Sequence, residues 1–116
     1  MYTVRQPAVA GTFYPATKDS LLRVVQDLLA VARRDGGPAL AATTTAKALI
    51  VPHAGYIYSG STAALAYARL GVRRSVIRRV VLLGPAHRVP VHGLALPGEQ
   101  AFATPLGRVA LDGLAL

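Results

Sequence analysis

Apolar and polar positions alternate in three distinguishable ways along the chain. From Lys18 to Arg34 the apolar residues Leu21, Leu22, Val25, Leu28, Leu29 and Ala32 recur at helical spacing, which predicts an amphipathic helix with one buried stripe. Thr17 stands where an N-cap is needed and Asp19 falls in the first turn. Arg33 and Arg34 suit the negative end, and Gly36-Gly37-Pro38 stops the helix. A second helix is predicted from about Ser61 to Leu70, capped by Ser59 or Ser61 and closed by Gly71. The runs Ala48-Leu49-Ile50-Val51 and Val80-Val81-Leu82-Leu83 show no alternation and are wholly apolar, as expected of short strands covered on both faces. Pro52 ends the first and Gly84-Pro85 the second. Strand, helix and strand in this order predict a βαβ unit with the two strands parallel and usually adjacent.

The flanks are less regular. Residues 1–16 carry Pro7, Gly11 and Pro15, so this arm is neither a long helix nor a central strand. Ala39–Ala46 is small and polar and reads as a connection. Beyond Pro90, Gly93–Leu96 and Arg108–Leu111 are candidate strands, separated by a loop through Pro97, Gly98 and Pro105. The ending Leu111-Asp112-Gly113-Leu114-Ala115-Leu116 has no closing helix or polar tail. Two strands with one crossover leave sheet edges uncovered, so the chain is expected to be part of a larger domain.

Composition narrows the function. The chain has 116 residues, enough for one small domain, and is 53% hydrophobic with a mean hydropathy of +0.40, which excludes an intrinsically disordered chain. No apolar run is long enough to span a bilayer and no charged-then-apolar leader is present, so a soluble, cytoplasmic protein is expected. Cysteine is absent, which leaves His, Asp, Glu or Tyr as metal ligands. There are 13 Lys+Arg, all but two of them arginine, against 5 Asp+Glu, giving a net charge of +8. The Arg73-Arg74 and Arg78-Arg79 stretch has no interleaved aromatic and no nucleic-acid-binding motif, and an arginine-rich, alanine-rich sequence also follows from GC-rich coding. Nucleic acid is therefore not an expected partner.

The chemistry concentrates at the ends of the two apolar runs. In open α/β sheets ligands bind beyond the carboxyl ends of the strands. His53 lies two residues past Val51 and His87 four past Leu83. A lone loop histidine is commonly just a surface residue. Two of them after consecutive parallel strands are expected to face one pocket, because neighbouring strands are about 4.8 Å apart. Pro-His-Ala-Gly and Gly-Pro-Ala-His surround them, with proline restricting the backbone and glycine allowing close approach. His92 sits in a less defined segment. Tyr56 and Tyr58 follow His53, and Phe13-Tyr14 lie in the arm. These rings serve either to pack the arm onto the sheet or to line the pocket. No phosphate loop, nucleophile elbow, H-E-x-x-H or paired-carboxylate pattern competes.

Four blocks carry a resemblance. Val4–Pro15 resembles the opening of the Memo family, whose bacterial and archaeal members are called AmmeMemoRadiSam system protein B. Ile50–Gly60 is similar to that family's P-H-A-G-Y segment, Leu82–Pro90 to its L-G-P-S-H segment with Ala86 in place of the serine, and Phe102–Gly107 to its T-P-L-G stretch. The resemblance implies that residues 1–116 are the N-terminal portion of a single Memo-like α/β domain. Its fold would be a partial parallel or mixed sheet with flanking helices, truncated, resembling the class III extradiol dioxygenase (LigB-like) fold. It further implies a metal-binding, redox-type protein holding iron or copper. His53 and His87 would be two of the ligands and Phe13, Tyr56 and Tyr58 the pocket lining. The family's remaining ligands belong to the second half of its domain, so the pair is an incomplete half site. Radical SAM and AMMECR1-like proteins are the implied partners. A second possibility is a non-catalytic pocket that binds a peptide or metabolite.

Overall fold

The computed structural model describes residues 1–36, 46–71 and 73–113. Among these residues there are two helices and a three-stranded sheet, in the order β1 (Val4–Arg5), α1 (Lys18–Asp35), α2 (Tyr56–Gly71), β2 (Ala101–Thr104) and β3 (Gly107–Ala110). It is a small α/β architecture with a mixed, open sheet.

Helix α1 matches its sequence signals to within one residue. Thr17 takes the extended N-cap conformation, although its hydroxyl makes no capping bond, and Gly36 N–H donates to Ala32 O at the other end. The predicted stripe is the one that packs: Leu21 and Ala32 are buried, and Val25, Leu28 and Leu29 are half-buried. Leu22 remains on the outer side. The partner is α2, whose Ala64 and Ala68 pack with Ala32 against Leu28 and Leu29. Leu28 lies against Gly60 near the start of α2, and Arg33 reaches Gly71 at its end, so the two helices run parallel. Alanine and glycine on the α2 face let the helix axes approach closely, which places the small core between them.

Helix α2 begins at Tyr56, five residues before the expected Ser61. The serines do not cap it. Ser59, buried inside the first turn, donates its hydroxyl to Ala54 O at 2.8 Å and, more weakly, to Gly55 O at 3.4 Å. The Ser59 hydroxyl is thus spent on carbonyls that precede the helix, a local side-chain-to-backbone bond of the kind serine makes within helices.

The expected βαβ unit is not what forms the sheet. Residues 48–51 and 80–83 enter no strand ladder, and they are not buried on both faces: Ile50 is fully exposed and Val81 is 85% exposed. A strand requires a neighbour for its backbone N–H and C=O groups, and among the described residues neither run has one. The parallel pair is instead β1 with β2, in the register Val4↔Ala101 and Arg5↔Phe102. Gln100 clamps it, with its N–H on Thr3 O and its side-chain oxygen accepting from Thr3 N–H, both at 3.0 Å. Strand β2 turns back into antiparallel β3 through Pro105-Leu106. Thr104 Oγ1 closes this turn by donating to Gly107 O and accepting from Leu106 N–H. Gly107 has φ +136°, a conformation that side-chain-bearing residues rarely adopt. Of the late candidate strands, Arg108–Ala110 lies within β3, whereas Gly93–Leu96 is not a strand. The connection expected over Ala39–Ala46 and the stop at Gly37-Pro38 fall, Ala46 apart, outside the described residues, as do residues 114–116. No described helix is long and apolar enough to cross a membrane.

Candidate metal centre

The segment from Pro52 to Gly55 leads directly into α2, so whatever fixes the start of that helix also fixes His53. Three contacts do so. The N-terminal arm makes a tight turn at Val9–Tyr14, closed by Phe13 N–H on Val9 O (2.9 Å) and Gly11 N–H on Tyr14 O (2.7 Å), with Gly11 at φ +85°. The Phe13 carbonyl then accepts the first N–H of α2, from Tyr56, at 2.8 Å. A β-carbon on Gly55 would sit 3.5 Å from the Phe13 backbone, so arm and loop are in van der Waals contact. Finally, Ser59 ties back the Ala54 carbonyl, next to His53.

His87 comes from the segment after 80–83. Its Nε2 lies 3.2 Å from His53 Nε2, with the ring centroids 5.3 Å apart and the planes inclined by 32°. Both residues are exposed. The two imidazoles thus meet although the strands expected to bring them together are absent as a ladder. As neutral rings, one can donate to the other, the direction set by tautomer. With both tautomers turned to present lone pairs, they offer two nitrogen donors to one cation. Among the described residues no third His, Asp or Glu joins them; His92 is not part of the cluster, and Asp112 pairs instead with Arg79 at 2.8 Å.

The aromatic residues divide. Phe13 and Tyr56, together with Tyr14, line an open hollow whose floor comes from Val24 and Leu28 of α1. The Tyr14 and Tyr56 rings are 5.7 Å apart and inclined by 47°, and burial, then Tyr14 and Tyr67, push the Tyr56 hydroxyl pKa above its ordinary value. Tyr58 is not in this lining and is 80% exposed. Neither histidine borders the hollow. Two supporting groups were not anticipated from sequence, the Phe13 carbonyl and the Ser59 hydroxyl. A serine three residues into a helix and five after an alanine carbonyl carries a weak signal for such a bond, and a backbone acceptor carries none.

Comparison with known proteins follows the same blocks. The chain is 40% identical over 110 residues to a MEMO1 family protein of Aquifex aeolicus, covering 95% of this chain and 37% of that protein. It is 38% identical over 108 residues to Protein MEMO1 of Danio rerio, covering 93% of this chain and 33% of that one. A MEMO1 family protein of Aeropyrum pernix is 39% identical over 116 residues, covering 94% of this chain and 40% of its own length. The chain therefore spans about a third to two-fifths of the length of these three curated relatives. The sequence pattern of the Memo-like protein family matches residues 5–116, and with it the chain belongs to the Memo family.

Proposed function

We propose that His53 and His87 supply two imidazole ligands to a single metal ion in a redox-type Memo-family site, whose remaining ligands come from outside these two loops. The observation that carries this is the 3.2 Å separation of the Nε2 atoms. At metal–nitrogen distances of about 2.0–2.1 Å, two donors so spaced subtend about 99–106° at one ion, between the cis-octahedral and tetrahedral values. A single neutral hydrogen bond between exposed rings stabilises by only about 0.5–1.5 kcal/mol at best. A shared cation uses both lone pairs and gives the two loops a reason to converge. The fit is to part of a ligand set, because stable sites use three or four protein ligands.

By family resemblance the ion is iron or copper. When bound with open positions, such an ion supplies oxygen activation. The chain's own residues bind and orient: Ser59 and the Phe13 carbonyl hold the His53 loop, and Phe13 and Tyr56 offer an apolar, hydroxyl-edged hollow nearby in sequence. The proposed setting is the cytoplasm, alongside radical SAM and AMMECR1-like proteins. A second reading, a non-catalytic pocket for a peptide or metabolite, is favoured by that hollow, which is formed without either histidine.

Titration of the purified protein with Cu2+, and anaerobically with Fe2+, tests the first reading when repeated on His53→Ala and His87→Ala. Uptake should weaken at least tenfold with either substitution. Uptake unchanged in both variants would sink the metal reading. Uptake lost while a hollow-binding ligand is still held would move the weight to the second.

A further inference from the structure

The arm that carries Phe13 is tied down at two places. Near one end β1 pairs with β2, and Gln100 makes two hydrogen bonds to Thr3. Near the other, the Phe13 carbonyl accepts the Tyr56 N–H at 2.8 Å. Between them the chain reverses at Val9–Tyr14. We propose that Gly11, inside that reversal, is a positioning residue of the metal site: its backbone conformation aims the Phe13 carbonyl at the start of α2 and so sets where His53 stands against His87. This rests on the reading of His53 and His87 as metal ligands, and it holds whichever other residues complete the ligand set.

Hydrogen bonds fix the backbone on both sides of that carbonyl. Phe13 N–H at 2.9 Å, Thr12 N–H at 3.2 Å and the Thr12 hydroxyl at 2.9 Å all donate to the Val9 carbonyl. On the far side, Gly11 N–H donates to the Tyr14 carbonyl at 2.7 Å. The Phe13–Tyr14 peptide lies between these anchors, so its carbonyl has little freedom to swing. Gly11 belongs to both anchors. It supplies the N–H of one and is the third residue of the Val9–Thr12 turn that forms the other. Its φ of +85° is what a type II turn requires at that position. A β-carbon on Gly11 would meet only Ala16 Cβ, at 3.6 Å, an ordinary contact. Space therefore does not select glycine here. The dihedral does, because residues with side chains rarely hold a positive φ.

The Phe13 carbonyl matters because the first N–H groups of a helix have no partner within it. Tyr56 opens α2, and His53 precedes it by three residues. Gly55 lies between them and packs on the same backbone, since a β-carbon there would stand 3.5 Å from both the Phe13 Cα and its carbonyl oxygen. Release of this carbonyl frees the Tyr56 N–H and loosens Gly55 together, even with the Ser59 hydroxyl still on Ala54. Two nitrogens serve one ion only while their separation stays close to what the bond lengths set, and the 3.2 Å between His53 and His87 does so. A loop that wanders from it must be ordered again on binding, which weakens uptake.

The test uses Cu2+ as the probe. Its affinity is measured by competition with a chelator and its nitrogen ligation by electron paramagnetic resonance, in the purified protein and in Gly11→Ala, Gly11→Asn and Gly107→Ala. Gly107 also has positive φ, +136°, but lies in the β2–β3 turn, so alanine there strains a backbone that does not hold the His53 loop. Gly11→Ala should weaken uptake about tenfold, the lower end of what losing a group that orients a metal ligand costs, and should broaden the nitrogen couplings. Gly11→Asn, whose side chain tolerates positive φ, should stay within about threefold of the parent. Gly107→Ala should lower the melting temperature yet leave uptake and spectrum unchanged. Should Gly11→Ala fail to fold, Thr12→Val removes only the hydroxyl on the Val9 carbonyl; uptake should then weaken about threefold and recover in Thr12→Ser. Equal weakening in Gly11→Ala and Gly107→Ala overturns the proposal, because lost stability alone would account for it. Uptake and spectrum unchanged in Gly11→Ala or, where that does not fold, in Thr12→Val overturn the positioning role while a dependence on His53 and His87 stands. Uptake indifferent to His53→Ala and His87→Ala overturns the ligand reading and this proposal with it.

Discussion

Gly60 is the position where helix packing and the histidine pair are most directly linked. A β-carbon there would come within 3.0 Å of Leu28 Cδ1 on α1, 3.5 Å of Tyr56 Cβ and 3.7 Å of Leu28 Cδ2. Gly60→Ala sets two effects against each other. Alanine is favoured over glycine inside a helix by about 0.8–1.0 kcal/mol. Against that, the Leu28 methyl must retreat by a few tenths of an ångström. It is the far end of a flexible side chain and borders an open hollow with Val24 and Val31, so the strain takes back part of the gain and the net change should lie within about 0.5 kcal/mol of zero. Gly60→Val adds two further methyl groups at the same contact, and loses the propensity advantage as well. Overpacking of this kind costs about 1–3 kcal/mol, and at roughly 4 °C per kcal/mol for a chain of this size the melting temperature should fall by about 4–12 °C. The first turn of α2 would also be displaced from α1, shifting the Pro52–Gly55 loop, so metal uptake should weaken along with stability. Thermal unfolding followed by circular dichroism, paired with metal titration, measures both. If valine leaves the melting temperature unchanged, the parallel α1–α2 contact is not the core of this fold, and the argument that Gly60 positions His53 fails with it.

Other expectations follow from single contacts. Ser59→Ala removes the bond that ties down the Ala54 carbonyl and should cost about 1–2 kcal/mol in urea unfolding, with weaker metal uptake, whereas Ser61→Ala, which removes no side-chain hydrogen bond among the described residues, should leave both unchanged. Tyr56 has its pKa raised first by burial, then by Tyr14 and Tyr67; the folded state therefore keeps its proton longer than the unfolded chain. Its contribution to stability is fully present below the ordinary tyrosine value and is lost as pH rises through the higher folded one. In a spectrophotometric titration, Tyr56→Phe should remove a tyrosine that ionises above the ordinary value and flatten the loss of stability at high pH; an unchanged titration tail would count against its burial. Gly107→Ala places a side chain at φ +136° and should lower stability by about 1–3 kcal/mol, most visibly as loss of protection of the β2–β3 amides in hydrogen exchange. Arg79→Ala should change the unfolding free energy by less than about 0.5 kcal/mol, because its partner Asp112 and the guanidinium are both well exposed.

Where sequence and structure agree, the information was local. The α1 stripe, its ends and its charged turns are all set within one helical period, and the helix appears where that period puts it. The second helix shows how a local rule can point the wrong way. Serines near the start of an apolar stretch suggest an N-cap, but Ser59 turns its hydroxyl back to carbonyls at Ala54 and Gly55 and the helix starts earlier. The sheet was less legible because pairing is decided between segments far apart. Val4–Arg5 is too short to carry a pattern and becomes a strand only because Ala101 and Phe102 lie beside it. The runs at 48–51 and 80–83 have the composition of buried strands, yet composition cannot supply the neighbours a ladder needs.

The histidine pair survives this failure for a physical reason. The expectation that His53 and His87 meet was built on adjacent parallel strands, whereas in the structure His53 is placed by loop anchoring: Tyr56 N–H on the Phe13 carbonyl, Gly55 packed on the Phe13 backbone, and Ser59 on Ala54. These contacts use the arm and α2, not the apolar runs, so His53 is fixed from the helix side. The blocks that carry the family resemblance are the same pieces, Val4–Pro15 and Ile50–Gly60. Tyr58 lies outside the hollow because a helix beginning at Tyr56 turns successive side chains by about 100°, so Tyr56 faces the arm and Tyr58, about 200° away, faces solvent. Had the helix begun at Ser61 as the serines suggested, both tyrosines would have been loop residues free to face one pocket. The start of α2 therefore decides which aromatic joins the hollow and where His53 stands.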